Sequence, residues 1–195
     1  RGIQPQTIYD LITEIGVKMS DSAISWKKIY GLNRNFLEPI ANRYFFVENP
    51  VEITVDGYED GAVDIERPLH ADHEDRGNRI LPFAGKAYLA SEDIKNGVAR
   101  LMDAVNVDIT GDKITFNSTS FEQAKDLKAK IIQWVPIEDN VNVSIVMDDA
   151  SVKTGLGEGA LKDLKVGDVV QFERVGFARL DEIKDNELIF YYAHK

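Results

Sequence analysis

The spacing of hydrophobic positions changes once along this chain, near Tyr44. Before that residue, apolar side chains recur every three or four positions, which is typical of helices with one buried face. Pro5 and Gly16 enclose the first such stretch, since proline is tolerated in a first helical turn and glycine often follows the last. Ser25 is a favourable N-cap for the second stretch. The pattern therefore predicts two helices in the N-terminal part of the chain.

From Tyr44 onward the pattern is that of short strands. The segments are rich in β-branched and aromatic residues and are separated by turn signals such as Asp56-Gly57 and Gly167-Asp168. They are RYFFV, VEITV, KAYLA, VNVDIT, KITF, IIQWV, VNVSIVM, DVVQFERVGFARLDEI and ELIFYYA. Residues 120–130 have the pattern of a short helix, and 151–164 are predicted as a glycine-rich connection. Many short strands at this spacing indicate barrels or sandwiches.

Composition narrows the class of protein. The chain has 195 residues, of which 44% are hydrophobic, as in one or two globular domains. No apolar run approaches the ~20 residues that span a membrane, and a signal peptide is not evident. There is no cysteine, which excludes disulfides and thiolate metal sites and fits a reducing cytosol. Because the first residue is Arg1 rather than methionine, we expect a fragment or a processed product.

The net charge of −10 disfavours non-specific binding to nucleic acid. Screening limits this far field to ~8–10 Å at physiological salt. A local site of suitable shape is therefore still compatible with the acidic composition.

Two segments contain residues of the kinds found in metal or nucleotide sites. His70 and His73 stand among carboxylates in HADHEDRGNR, and imidazole with carboxylate binds metals. The spacing is loose, however, so a solvated loop is the preferred interpretation and no metal site is predicted. GLGEGA, from Gly155, lacks the spacing of a dinucleotide loop. No nucleophile elbow or P-loop is found.

Three polar residues lie where strands are predicted to present them. Alternation in QFERVGFARLD places Val170, Phe172 and Arg174 on one strand face and Gln171 on the other. Such residues read base edges or stack on bases in RNA-binding proteins, although an ordinary strand with an ion-paired arginine fits the pattern better. Arg43 lies where the predicted helices end and the first strand begins. The pattern fits two interpretations of Arg43, a residue that contacts bases and an ordinary surface arginine.

Several ordered blocks carry a resemblance that spans essentially the whole chain. They are RGIQPQTIYDLITEIGVKMSDSAISW, IYGLNRNFLEPIANRYFFVENPV, HADHEDRGNRILPFAG, VARLMDAVNV, IIQWV, VGDVVQFERVGFARLD and FYYAHK. In this order they resemble the C-terminal, anticodon-binding region of archaeal glutamyl-tRNA synthetases, within the glutaminyl-tRNA synthetase-like class I subfamily.

The resemblance implies a mainly β fold with an N-terminal helical segment. Residues 1–43 would be a helical linker from a catalytic domain that is absent here. Two antiparallel, six-stranded β-barrels, of a type also known from a large-subunit ribosomal protein, would follow. The proximal barrel would comprise 44–103 and 166–195, and the distal barrel, 104–165, would be inserted into it.

The resemblance also implies a function, which is recognition of the anticodon of tRNA(Glu) by a cytoplasmic glutamate–tRNA ligase, with tRNA(Gln) as a second candidate partner. Arg43 and Gln171 match residues that contact anticodon bases, and Arg100 and Arg174 are further candidate contacts. ATP and Mg would belong to the absent catalytic domain, because no H-x-G-H-like motif occurs here. No cofactor, DNA or membrane partner is expected, and the chain alone is predicted to be inactive.

The stretch VKMSDS differs by one residue from K-M-S-K-S, the ATP loop of class I synthetases. Asp21 stands where that loop has a lysine, and a carboxylate would repel phosphate. In the family the ATP loop also precedes the segment matched here. The stretch is therefore interpreted as a turn before the second helix, with a coincidental likeness.

Two alternatives to RNA recognition remain open from the residues alone. One is a β-barrel module that binds a protein partner through its acidic surface. The weaker one is a metal hydrolase that uses His70 and His73.

Overall fold

A computed structural model describes residues 1–16 and 23–195. Helix α1 spans Pro5–Ile15 and helix α2 spans Trp26–Leu37. The predicted caps are confirmed, because the Gly16 N–H donates to the Ile12 carbonyl at 3.0 Å and the Ser25 side chain accepts from the Lys28 N–H at 3.3 Å. The predicted short helix is α3, Phe121–Asp126. The VKMSDS stretch lies outside the described residues.

Short strands make up most of the remaining chain. They are β1 (Asn42–Tyr44), β2 (Phe46–Glu48), β3 (Pro50–Thr54), β4 (Val63–Pro68), β5 (Asn78–Phe83), β6 (Lys86–Ala90), β7 (Gly97–Leu101), β8 (Asn106–Thr110), β9 (Lys113–Ser118), β10 (Lys130–Ile132), β11 (Asn140–Val146), β12 (Val152–Glu158), β13 (Val169–Phe172), β14 (Gly176–Lys184) and β15 (Glu187–His194). The prediction of a mainly β fold with an N-terminal helical part is confirmed.

One sheet has seven strands in the order β1-β13-β14-β15-β11-β12-β2. Its two edge strands, β1 and β2, are separated in the chain by Phe45 alone. The two edges of the sheet therefore lie beside each other, and the sheet curls into a nearly closed barrel. We call it the second barrel.

The strands between β2 and β11 form another barrel-like unit. It contains the sheet β10-β7-β8-β9, the two-stranded sheet β3-β6 and the hairpin β4-β5. Isolated bridges from Asp56 to Thr115 and from Tyr88 to Val135 connect the β3-β6 pair to both sides of the four-stranded sheet. We call this unit the first barrel.

Each barrel has its own hydrophobic core. The first core is centred on fully buried Trp134, with Phe83 and Leu101, and draws its residues from 45–135. The second core contains Phe172 and Phe190, and its residues come from 44–46 and 141–190. The first barrel is thus inserted into the second.

This packing groups the chain differently from the predicted barrel boundaries. The predicted distal barrel, 104–165, is split, because β8 and β9 pack in the first core whereas β11 and β12 pack in the second. In addition, β1-β13, β7-β10 and β11-β15 are parallel pairs, where antiparallel pairing was predicted. The β1-β13 pair joins strands that lie before and after the inserted first barrel, whereas the other two pairs each join strands of one barrel.

The predicted connection 151–164 is instead β12 followed by a short 3₁₀ turn. Its glycines serve close packing, since a Cβ at Gly155 would overlap the Val47 carbonyl and one at Gly157 would overlap the Leu161 side chain. β12 can therefore lie against β2 only with glycine at 155, and Gly157 leaves room for the buried Leu161 side chain.

A buried asparagine fixes the helical pair to the second barrel. Asn33 accepts hydrogen bonds from the Gln4 N–H and the Thr7 hydroxyl, at 2.7 and 2.9 Å. Its amide donates to the Gly2 carbonyl and to His194 Nε2, at 3.2 and 2.8 Å.

Among the described residues, none of the helices is long and apolar enough to cross a bilayer.

Candidate nucleic-acid interface

Arg43 and Gln171 lie directly beside each other. β1 and β13 pair in parallel, and their register places Arg43 opposite Gln171. Because the flanking Val170 and Phe172 are buried in the second core, Gln171 projects away from it. Arg43, at the junction of the helices and the first strand, thus lies beside a residue that follows it by about two-thirds of the chain length.

The Arg43 guanidinium is bound by carboxylates, but its Nε has no hydrogen-bond partner among the described residues. Nη2 lies 2.8 Å from Glu38 Oε1 and 3.9 Å from Asp72 Oδ2, and the side chain is 24% exposed. Nε is buried and has no hydrogen-bond partner within the described part of the chain. Buried donors are nearly always paired, so Nε is an exception, and the partly exposed end of the guanidinium is the part that a ligand could reach.

His70 organises the loop around Arg43. Its Nδ1 accepts from the Asp72 N–H at 3.1 Å, so Nε2 carries the proton and donates to the Glu38 carbonyl at 2.7 Å. Both ring nitrogens are therefore used within the protein, and His70 has no free lone pair for a metal. In 1–16 and 23–195, no group of three or more metal-ligating side chains is found.

Buried charges join the two barrels next to this pair, along what we call the seam, formed by Arg67, Arg79, Glu158 and Glu173. Glu158 is fully buried and accepts from Arg79 Nε and the Phe45 N–H, both at 2.5 Å. Glu173 lies 3.5 Å from Arg67 Nη2 and 3.8 Å from Arg79 Nη2. Since Arg67 and Arg79 belong to the first barrel and the carboxylates to the second, these ion pairs fix the two barrels together.

Burial shifts the ionisation of these groups. It raises the pKa of Glu158, against the opposing effect of Arg79. It lowers the pKa of Arg67, an effect opposed by Glu173 and Asp103. The guanidinium of Arg67 also lies 4.4 Å above the Phe45 ring, a cation–π contact that favours its charged form.

Arg174 lies at the same junction, but not on a strand. β13 ends at Phe172, and Arg174 occupies the following turn with a φ of 72°, so the predicted strand alternation is wrong at this residue. Its guanidinium binds both oxygens of buried Asp93, at 2.5 and 3.1 Å. Burial alone would raise the pKa of Asp93, but hydrogen bonds from Arg174 and Lys130 hold that pKa below its usual value.

Arg100 lies in a different sheet. It is on β7, where Nη1 donates to Asn106 Oδ1 at 2.9 Å and to the Thr119 carbonyl at 3.0 Å. The guanidinium also lies 5.6 Å from the Phe121 ring centroid. The structure therefore brings Arg43 and Gln171 together, places Arg174 at the junction of the barrels, and puts Arg100 in the four-stranded sheet of the first barrel.

Comparison with protein families gives this geometry a context. A family model described as the anti-codon binding domain of class I tRNA synthetases (E and Q) matches residues 41–132, and a second model of the same description matches 131–181. The chain belongs to this family of anticodon-binding domains. The two matched regions meet at β10, close to the end of the first core. The boundary between the two family models therefore lies near the boundary between the two barrel cores.

Curated relatives agree with the family. The chain is 94% identical to a glutamate–tRNA ligase of Methanobrevibacter smithii over 195 residues, which are 100% of the chain and 35% of that relative. It is 49% identical to the glutamate–tRNA ligase of Methanothermobacter thermautotrophicus, again over 100% of the chain and 35% of the relative. The chain thus spans about a third of the length of the ligases it matches.

Sequence reasoning missed the seam of this anticodon-binding domain. A signal was present for Arg79, because strand alternation places it on the same face as buried Leu81 and Phe83. No comparable signal marked Glu158, since the glycines around it resemble a loop. The buried partners became recognisable only when the two barrels were seen in contact.

Proposed function

We propose that this chain binds the anticodon loop of tRNA(Glu) as part of a glutamate–tRNA ligase. The observation that supports this most directly is the register of β1 and β13, which sets Arg43 beside Gln171 on a face outside the second core. The family match and the names of the relatives point to the same partner. A second possible partner within this proposal is tRNA(Gln).

The chemistry of the pair suits an unpaired base. The Gln171 amide offers both a donor and an acceptor, and the Arg43 guanidinium offers donors and a flat face for stacking. Since the chain carries a net charge of −10, we attribute recognition to directed contacts rather than to a broad positive field. Arg174 and Arg100 remain predicted contacts, with Arg174 the nearer of the two to the seam.

Aminoacylation is assigned to the part of the ligase outside this chain. The relatives are about three times as long as the matched region. We place ATP and Mg in that other part, assign no cofactor to this chain, and expect it to have no ligase activity alone. The proposed cellular location is the cytoplasm, and DNA is not a proposed partner.

The test is binding of a synthetic tRNA(Glu) anticodon stem-loop at fixed salt. Arg43→Ala is expected to weaken binding by about 1–3 kcal/mol, the usual value of a directed base contact. Lys184→Ala serves as the matched control, because it removes one positive charge at an exposed strand end.

Equal affinities of wild type, Arg43→Ala and Lys184→Ala would contradict the role of Arg43. Displacement of the stem-loop by bulk RNA at equal concentration would instead contradict specific recognition. A stem-loop with the glutamine anticodon, titrated in parallel, tests the second partner.

A further inference from the structure

The corner between β1 and β2 needs a hydrogen-bond acceptor from outside the strand ladder. Phe45 is the one residue between these two strands, and it is fully buried. The pairing of β12 with β2 ends where Gly157 lies opposite Phe46, one residue short of Phe45. A buried backbone N–H that lacks an acceptor is costly, so another group has to pair with the Phe45 N–H.

The Glu158 carboxylate is that acceptor. Glu158 is the last residue of β12, so its side chain takes over where the ladder ends. Oε1 accepts from the Phe45 N–H and Oε2 accepts from Arg79 Nε. Because Glu158 is fully buried, its charge depends on Arg79 for compensation. An arginine of the first barrel thus holds the backbone of the second barrel at this corner.

A second set of hydrogen bonds leads from Arg79 to the backbone of Arg43. Nη1 of Arg79 donates to the Pro68 carbonyl. The carbonyl of the next residue, Leu69, accepts from the Arg43 N–H at 2.7 Å. Arg79 therefore acts on β1 at two points, at Arg43 through the segment 68–69 and at Phe45 through the buried carboxylate.

The chemistry of the guanidinium suits this double role. Its N–H groups are spread over a rigid plane, so one side chain donates in two directions at fixed geometry, whereas lysine has a single nitrogen. Arg79 is only 4% exposed, which leaves no surface for a ligand. Arg43, in contrast, has a partly exposed side chain on a backbone that this network holds. A contact residue must keep its place to within about 0.5 Å, and its supporting residues provide that precision.

We propose that Arg79 is a positioning residue for RNA recognition, which holds the backbone of β1 so that Arg43 meets its ligand in one fixed orientation. This inference rests on the proposed function of the chain. It goes beyond the stabilising role of the seam, because a conservative change of Arg79 then alters RNA affinity through Arg43 and not only the free energy of unfolding.

The experiment is a double-mutant cycle of Arg79→Lys and Arg43→Ala in the 195-residue chain. Lysine keeps the positive charge beside Glu158 but cannot make both connections. Ile109→Val is the control, because Ile109 lies in the first core outside the seam, and its truncation lowers stability by packing alone. The probe is the tRNA(Glu) anticodon stem-loop at fixed salt, at a temperature where thermal unfolding shows each variant to be folded.

The expected result is strong coupling between Arg79 and Arg43. In the otherwise unchanged chain, Arg43→Ala should weaken binding roughly tenfold. Arg79→Lys should weaken binding about fivefold, and Arg43→Ala should then cost less than about twofold more, since the displaced arginine has already lost most of its contact. In the Ile109→Val background, Arg43→Ala should again cost roughly tenfold.

Equal effects of Arg43→Ala in the Arg79→Lys and Ile109→Val backgrounds would overturn the positioning role and leave Arg79 as a stabilising residue only. A wild-type chain that does not bind the stem-loop would instead contradict the proposed function. If Arg79→Lys is unfolded, Glu158→Asp replaces it in the cycle, since it keeps the charge and shortens the reach toward Phe45 and Arg79.

Hydrogen exchange of the wild-type chain tests the same network without any substitution or RNA. The N–H groups of Arg43 and Phe45 should exchange as slowly as those of the second core at Val143 and Phe190. Fast exchange of either amide would show that the corner is not held, and would overturn the proposal whatever the stem-loop binds.

Discussion

Two strand arginines of this chain have opposite surroundings. Arg100, in the first barrel, is buried, and its Nη1 serves both the Asn106 side chain and the Thr119 carbonyl. Arg43, on the edge strand β1, is partly exposed and keeps a buried Nε without a partner among the described residues. The first arginine is tied to residues of its own sheet, whereas the second is partly exposed beside Gln171.

The difference is one of exposure. A guanidinium as buried as that of Arg100 would have to break internal hydrogen bonds and move before it could contact RNA, whereas Arg43 already reaches the surface. Arg174 lies in between, since its side chain is 43% exposed but both Asp93 oxygens bind it.

The largest predicted effect comes from the seam that supports Arg43 and Gln171. Arg79→Ala should lower the free energy of unfolding by about 3–5 kcal/mol, because Glu158 is left as an uncompensated buried charge. Urea denaturation at pH 7 measures this change. The exposed pair Arg179–Asp181 is the control, where Arg179→Ala should cost about 0–1 kcal/mol. Similar losses in both variants would show that the seam does not hold the barrels together.

A smaller and pH-dependent effect is predicted for the partner of Arg174. The pKa of Asp93 lies below its usual value of 3.8. Its ion pairs therefore stabilise the folded state above that pH and are lost as the pH falls through the lower, folded-state pKa. Asp93→Asn should cost about 1.5–3 kcal/mol at pH 7, and the difference from wild type should shrink in acid.

Denaturant titrations between pH 7 and pH 3 measure that difference. Asp149→Asn provides a comparison with an exposed carboxylate whose pKa is also lowered, through hydrogen bonds from Ser151. A constant difference between wild type and Asp93→Asn across this range would contradict the assignment.

The comparison of the two arginines itself is tested by Arg100→Ala. It should lower the free energy of unfolding by about 1–3 kcal/mol, because it leaves Asn106 Oδ1 buried without its donor. Arg43→Ala should change stability less and RNA affinity more. If Arg100→Ala remains fully folded and selectively loses affinity for the stem-loop, Arg100 is an RNA contact as the resemblance implies, and burial does not distinguish the two arginines.

The smallest predicted effect concerns the contact between the helices and the second barrel. Burial lowers the pKa of His194 below 6.5, and Arg34 acts in the same direction, against the Lys195 carbonyl. The unfolded state therefore binds a proton first, and stability should decrease as the pH falls below about 6.5. His194→Gln should flatten this dependence, as measured by thermal unfolding between pH 8 and pH 5. An unchanged slope would show that His194 does not titrate in this range.

The sequence predicted those features that depend on neighbouring residues. Helix ends at Gly16 and Ser25 follow from local hydrogen bonding, and the β-rich texture after Tyr44 follows from alternation. Barrel membership could not be obtained in this way, because β11 pairs with β15 rather than with β9. It depends on which distant strands pair, and local patterns do not contain that information.

The same limit applies to the candidate site, where contacts between distant segments could not be predicted from local patterns. Arg43 and Gln171 were both candidates from the family resemblance, and the register of β1 and β13 places them beside each other. The burial of Arg79 against Glu158 depends on the contact between two barrels, so neither residue could be recognised from its own segment.

The insertion of one barrel into the other has a consequence for the order of folding. Residues 45–135 hold the first core, so this part can collapse while later residues are still being synthesised. β1 must wait for β13, which is far away in the chain, and such pairings of high contact order form slowly. We therefore expect the pair of Arg43 and Gln171 to be among the last structures to assemble, since it requires β13.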